Sequence, residues 1–241
     1  MTKSQAVPFS ALEDKIPGAL AELVCAKEEF SPTALASALG AETMVLIDMI
    51  SRHDLGIEVF TLDTGRLHEE TYDLMDRARK RYPQVRFLFY FPETRDTEEL
   101  LQRHGPRCMF ASKEARLECC EVRKVRPLAR ALAGRKSWIT GLRREQSRHR
   151  GAVALREVDE GHGIMKFNPL AFWTQEEVWG YIEAFGVPVN ALHEKGYPSI
   201  GCAPCTRPIS PGEDLRAGRW WWEEEEKKEC GLHLPFQGWG I

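Results

Sequence analysis

An α/β fold built on a parallel sheet is what this sequence predicts, on three observations. Short apolar runs at 57–62 (IEVFTL), 85–91 and 136–140 alternate with longer stretches of helical periodicity, the pattern of crossover helices packed on a parallel sheet. Residues 33–53 read as strand, glycine turn and helix, which aims helix N-terminal amides at the turn. With 241 residues, 43% of them hydrophobic, the chain can bury a sizeable core without staples. A net charge of -3 argues against a dedicated nucleic-acid binder. The absence of a long apolar run or a leader-like start gives the expectation of a cytoplasmic protein with no membrane partner.

Taken in order, residues 10–30 place Leu12, Ile16, Leu20, Leu23 and Val24 at helical spacing, stopped by Ser31-Pro32. A short Ala-rich strand at 33–39 leads through Gly40-Ala41-Glu42 into a helix at 43–53. The strand at 57–62 ends in Asp63-Thr64-Gly65, a carboxyl end where a parallel sheet holds ligands, or an Asp-capped turn. A helix at 67–81, a strand at 85–91 and a helix at 98–105 follow, with Arg107-Cys108 in a loop. Residues 113–133 read as one long helix carrying Cys119 and Cys120. The strand at 136–140 precedes an arginine-rich decapeptide, 141–150, that reads as an anion site because no aromatics interleave it. Strands at 153–158 and 165–169 come next, and Thr174-x-x-Glu177 is a capping box opening a helix with Val178, Trp179, Ile182 and Phe185. His193, alone ahead of the next loop, is given no role.

Chemistry gathers in the last third. Seven cysteines in a reducing compartment are poorly explained by disulfides. Cys202-Ala-Pro-Cys205 points two sulfurs at one centre. Cys119 and Cys120 diverge by roughly 100 degrees on a helix, so they reach different irons of a cluster more readily than one zinc ion. Cys230, flanked by Lys228 and His233, is a candidate thiolate nucleophile. Cys25 and Cys108 are left as packing or surface thiols.

Leu62-Asp63-Thr64-Gly65-Arg66-Leu67-His68, Cys119-Cys120, the 141–150 run, Lys166-Phe167-Asn168-Pro169-Leu170, Gly201-Cys202 to Cys205-Thr206-Arg207, Gly218 to Glu223 and Lys228-Glu229-Cys230-Gly231-Leu232-His233 together resemble the assimilatory adenylyl-sulfate reductases, relatives of the phosphoadenylyl-sulfate reductases. The likeness runs from about Ala36 to His233. It implies an adenine nucleotide alpha-hydrolase-like, Rossmann-like domain over 1–215 and a mobile C-terminal tail over 216–241. It also implies one 4Fe-4S cluster on Cys119, Cys120, Cys202 and Cys205, with Cys230 as nucleophile. The implied reaction converts adenylyl sulfate to sulfite and AMP in sulfate assimilation, with thioredoxin or glutaredoxin as reductant, in a homo-oligomer.

Chemistry and resemblance together nominate Lys124, Arg144, Arg150, Arg216 and Arg219 to hold the phosphosulfate, with Arg143 and His233 as further candidates. Gly40, Glu42, Asp63, Thr64 and Gly65 are nominated for the nucleoside, Glu42 repelling an added 3'-phosphate. The 36–43 segment departs from the family's usual Ser-x-Ser-Gly-Ala-Glu-Asp loop in carrying Leu39 and Thr43. Three alternatives stand beside this reading: a reductase of the 3'-phosphorylated nucleotide or of both forms, an iron-sulfur transferase acting on tRNA, and a cluster-stabilised nucleotide-binding module without activity.

Overall fold

The computed structural model describes residues 7–146 and 150–223. Helix α1 (Lys15–Glu28) leads into strand β1 (Ala34–Ala36), which passes through the Gly40 turn into α2 (Ala41–Arg52). Then come β2 (Glu58–Leu62), α3 (Glu69–Arg81), β3 (Phe87–Tyr90), α4 (Thr94–His104) and α5 (Lys113–Cys120). A π-helical turn, Glu121–Val125, joins α5 to α6 (Arg126–Leu132), followed by β4 (Ser137–Ile139), β5 (Arg156–Asp159), β6 (Ile164–Phe167) and α7 (Gln175–Phe185).

The six strands lie in the order β3-β2-β1-β4-β6-β5. Five are parallel, as the alternating pattern predicts, with Leu35 of β1 opposite Val59 of β2 on one side and Ile139 of β4 on the other. The chain winds outward from β1 to β3 and then returns to the far side of β1. The carboxyl ends of β1 and β4 therefore flank the point where the winding reverses, where such sheets leave a crevice. Strand β5 is the exception, antiparallel to β6 with Asp159 opposite Ile164. The turn between them is far shorter than any parallel crossover, which takes about a dozen residues or more, and Gly163 supplies the positive φ of 66° that closes it.

The expected 113–133 helix is divided rather than continuous. Pro127 at the start of α6 has no amide hydrogen, and its ring would strike the carbonyl of Arg123 in a regular turn. The widened turn relieves that clash, and the amide of Arg126 bonds Glu121 O instead.

Helix α2 is the buried centre, nine of its twelve residues inaccessible, with α1, α7 and the sheet around it. Asp48 lies inside that core, 1% exposed, and accepts hydrogen bonds from Tyr82 Oη at 3.1 Å and Tyr181 Oη at 2.9 Å beside the ion pair with Arg52. Burial and the Asp48 charge push both phenols upward, so they stay protonated donors. α7 keeps the expected capping box, Thr174 Oγ1 accepting from Glu177 N and Glu177 returning to Thr174 N. Replacing Asp48 by Ala strands two hydroxyls and part of a cation in the core, with an expected loss of about 2–4 kcal/mol. Urea unfolding checks this, and a midpoint equal to that of the parent chain would contradict it.

Candidate functional site

Two spaces meet at the carboxyl end of the sheet. The larger is a cavity of about 550 Å3 at the β1/β4 reversal, floored by the Ser37–Gly40 turn and walled by residues of α2, α7 and the cysteine loop. The smaller is a void bounded by all four of Cys119, Cys120, Cys202 and Cys205. Cys202 and Lys124 line both.

The thiols converge from two directions. Ser112 caps α5, accepting from Ala115 N at 3.1 Å, and the helix carries Cys119 and Cys120 inward on its last turn. Cys202 and Cys205 sit on a 3-10 turn, Ala203–Cys205, tied to the loop after β2: Ala203 N donates to Arg66 O at 2.8 Å, and Thr64 Oγ1 lies 3.2 Å from Cys202 Sγ. Arg123, on the π turn, donates to Thr64 O at 2.6 Å. Burial foremost, then neighbouring thiols, pushes Cys119 and Cys205 up to about 12.

Among the described residues no three His, Cys, Asp or Glu side chains converge on a single ion. What surrounds the void is cationic: Arg66, Arg116, Arg123 and Lys124 border it, and Arg116 Nη1, Arg123 Nε and Trp220 Nε1 are buried without hydrogen-bond acceptors. Four inward thiols ringed by unmet N–H donors fit an anionic, thiolate-held group larger than one ion.

In the cavity, Glu42 at the start of α2 accepts from Arg143 Nε at 3.0 Å and Gln146 Nε2 at 2.9 Å. Arg143 is only 3% exposed and also donates to Trp173 O. Arg150 bonds Gln146 and lines the same wall. Lys124, Arg216 and Arg219 line the cavity with Gly201 and Cys202. Arg219 crosses the chain at Gly201, where an added Cβ would lie 2.3 Å from its Nη2.

Of the residues nominated from sequence, Gly40, Glu42, Thr64, Lys124, Arg143, Arg150, Arg216 and Arg219 line the cavity, with the four cysteines around the adjoining void. Asp63 turns into the loop instead, accepting from Gly65 N at 2.8 Å and Tyr72 Oη at 3.0 Å, and Gly65 supplies a φ of 66°. Arg144 faces away: its Nε donates to Val153 O and its guanidinium stacks 4.2 Å over Phe172. Cys230 and His233 lie outside the described residues. Residues 216–223 pair back onto the cysteine turn, through a Thr206–Arg219 bridge and Trp220 N to Cys205 O, and Trp220 is 1% exposed.

Several residues here went unread in the sequence. His193 is buried on the cavity wall, its Nδ1 2.9 Å from Tyr197 O, and desolvation lowers its pKa, favouring the neutral ring. Arg116 is fully buried behind the thiols, and its spacing from Cys119 and Cys120, one helical turn back, was the available signal. Cys108 is also fully buried, in the same cluster as Cys119.

Residues 32–208 match the family model described as the phosphoadenosine phosphosulfate reductase domain. The chain is similar to proteins named adenosine 5'-phosphosulfate reductase: that of Neisseria meningitidis serogroup B is 50% identical over 198 residues, covering 82% of this chain and 80% of the relative. That of Burkholderia cepacia is 49% identical, covering 86% and 82%. Among solved structures, the phosphoadenylyl-sulfate reductase of Candida auris in a phosphate complex superposes with a TM-score of 0.69 at 29% identity, over 82% of this chain and 95% of that one. The FMN adenylyltransferase of Candida glabrata, at 12% identity and a TM-score of 0.59 over 88% and 71%, shares the fold alone.

Replacing Gly201 by Ala is expected to drive the Arg219 guanidinium aside while the sheet stays folded. Phosphate affinity in the cavity should fall roughly tenfold, the worth of one charge-assisted hydrogen bond. Calorimetric titration against unchanged thermal stability checks it, and unaltered affinity would show that Arg219 does not serve the anion.

Proposed function

The chain belongs to the phosphoadenosine phosphosulfate reductase domain family, and on that premise we propose that it reduces adenylyl sulfate to sulfite and AMP. The observation that carries the reading is the shared wall, with Cys202 and Lys124 lining both the nucleotide-sized cavity and the thiol void. Relatives about half identical over most of their length carry the adenosine 5'-phosphosulfate reductase name, which supports the unphosphorylated ribose as substrate. Glu42, nominated from sequence to repel an added phosphate, lines the same wall with its carboxylate already paired to Arg143 and Gln146.

The chemistry is a sulfo transfer followed by a thiol exchange. The Cys230 thiolate attacks the sulfur of the phosphosulfate, forming the S–S bond as the bridging S–O bond breaks, and AMP departs with the electron pair. Lys124, Arg216 and Arg219 neutralise the charge that grows on the leaving phosphate, with Arg143 and Arg150, which line the same cavity, holding the nucleotide. A thioredoxin-like dithiol, or a glutaredoxin, then attacks the Cys230 sulfur and releases sulfite, and its second thiol resolves the mixed disulfide. The two electrons come from that dithiol. Cys119, Cys120, Cys202 and Cys205 would hold a 4Fe-4S cluster, whose contribution when bound is a buried charged centre beside Lys124. Arg144 is assigned to packing on Phe172 and Asp63 to shaping its loop. On this reading Cys230 and His233 act from the chain beyond 216–223, residues that pair onto the cysteine turn. The described chain contains no helix long and apolar enough to cross a membrane, and its six buried free thiols suit a reducing cytoplasm.

Mixing the oxygen-free protein with adenylyl sulfate and no reductant should add one SO3 group to Cys230 by intact mass and peptide mapping, and Cys230→Ser should take up none. An adduct formed equally from the 3'-phosphorylated nucleotide would replace this reading with dual specificity. No adduct at all would refute the mechanism.

Cluster assembly should release protons. Cys119 and Cys205 hold their protons up to about 12 when unligated, and ligation needs thiolates, so iron and sulfide uptake by the apo-protein should strengthen from about pH 7 to about pH 9. Uptake that weakened over that range, followed by visible absorbance, would count against these thiols as ligands.

A further inference from the structure

Arg116 borders the thiol void and also bonds the start of the C-terminal segment. It is 1% exposed, and its Nε and Nη2 clamp the Glu223 carboxylate at 2.8 and 2.8 Å. Trp220 stacks on it at 4.9 Å, holding the guanidinium plane in place. It also borders the void beside Cys120, and its buried Nη1 lacks an acceptor. Glu223 lies seven residues before Cys230 in the chain.

We propose that Arg116 is a positioning residue that ties the group held by the four cysteines to the root of the segment carrying Cys230. A thiolate-held anionic group in the void supplies the acceptor that Nη1 lacks and fixes the guanidinium. A fixed guanidinium in turn fixes Glu223, from which the segment departs. The coupling is reciprocal: if the group steadies Glu223, then Glu223 steadies the group. Nothing in this role moves an electron or breaks a bond, which separates it from the substrate-facing cations across the shared wall.

The inference rests on the function proposed above, and the experiment keeps the two apart. Holoprotein purified without oxygen is compared with Glu223→Gln, which keeps a hydrogen-bonding amide but removes the charge, and with Arg116→Lys, which keeps charge but loses the fork. Three quantities are read: iron per chain, the rate of iron loss to a chelator, and the rate of Cys230 alkylation by iodoacetamide followed by mass. Glu223→Gln should fold and contain iron, yet lose it roughly tenfold faster and alkylate at Cys230 roughly tenfold faster, the change expected when a bidentate ion pair becomes a single hydrogen bond to a neutral amide oxygen. Arg116→Lys should move both rates the same way. Unchanged iron-release and alkylation rates in Glu223→Gln overturn the proposal even if Arg116→Lys fails to fold. A parent chain that holds no iron overturns both this inference and the cluster assignment. A parent chain that holds iron but forms no Cys230 adduct overturns the nucleophile alone, and the iron-release comparison still decides the coupling.

Discussion

Two contacts fasten the cysteine turn to the sheet: the amide of Ala203 on the carbonyl of Arg66, and the hydroxyl of Thr64 against the sulfur of Cys202. The partners of the second are 138 residues apart in sequence, so this junction is tertiary and made only once β2 has found its place. Arg123 reaches the same loop from the π turn, gripping the Thr64 carbonyl. Three distant segments thus meet around one threonine, and each carries part of the site. Because Cys202 and Lys124 belong to both walls, whatever moves this junction deforms cavity and void together. The π turn has a local cause in Pro127, but its consequence is functional, since it sets the direction in which Arg123 and Lys124 leave the helix.

Electrostatics explains why such a junction is poorly satisfied as it stands. Arg116, Arg123 and Arg219 are all nearly inaccessible, and among the described residues Glu223 is the only carboxylate that bonds one of them. Burying a guanidinium without a full set of acceptors costs several kcal/mol, of order 3–5 when a partner is missing. Protonated thiols do nothing to offset this, and burial with mutual repulsion keeps Cys119 and Cys205 protonated. On the proposed function, an anionic thiolate-held group in the void and an anionic nucleotide in the cavity would each relieve part of the same excess of positive charge, and binding of either would stabilise the site.

What the sequence disclosed and what it hid follow from the kind of information each needed. The α/β class, the Gly40 turn and the Thr174–Glu177 capping box rest on local pattern, and all three are present. The four cysteines were legible because thiols are few and their spacing speaks. Strand polarity was not legible at β5, since an edge hairpin and a central strand can share the same apolar content. The choice between Arg143 and Arg144 was hidden too. Neighbouring residues at a strand end point to opposite sides, and only the packing of Phe172 and Trp173 decides which arginine turns inward. Gly201 has ordinary backbone angles, so its purpose, room for the Arg219 guanidinium, exists only in three dimensions.

A nucleophile on a terminal segment follows from the proposed two-step chemistry. The first step needs the Cys230 thiolate inside a cation-lined cavity, where the phosphosulfate is stripped of water and its leaving group is neutralised. The second needs the same sulfur exposed to the thiolate of another protein, which is too large to enter a cavity of about 550 Å3. No side chain rooted in α5 or the cysteine turn meets both demands, because those elements are locked by the Thr64 junction. A segment that departs from a fixed point does. The fixed point must then be strong, since every position of the sulfur is measured from it, and a carboxylate clamped by a buried guanidinium under a tryptophan is the strongest anchor available at that end of the described chain. The anchor is also the element that touches the thiol void. On the proposed coupling, the condition of the cysteine-held group would bear on how the nucleophile is presented, without that group taking part in the transfer itself.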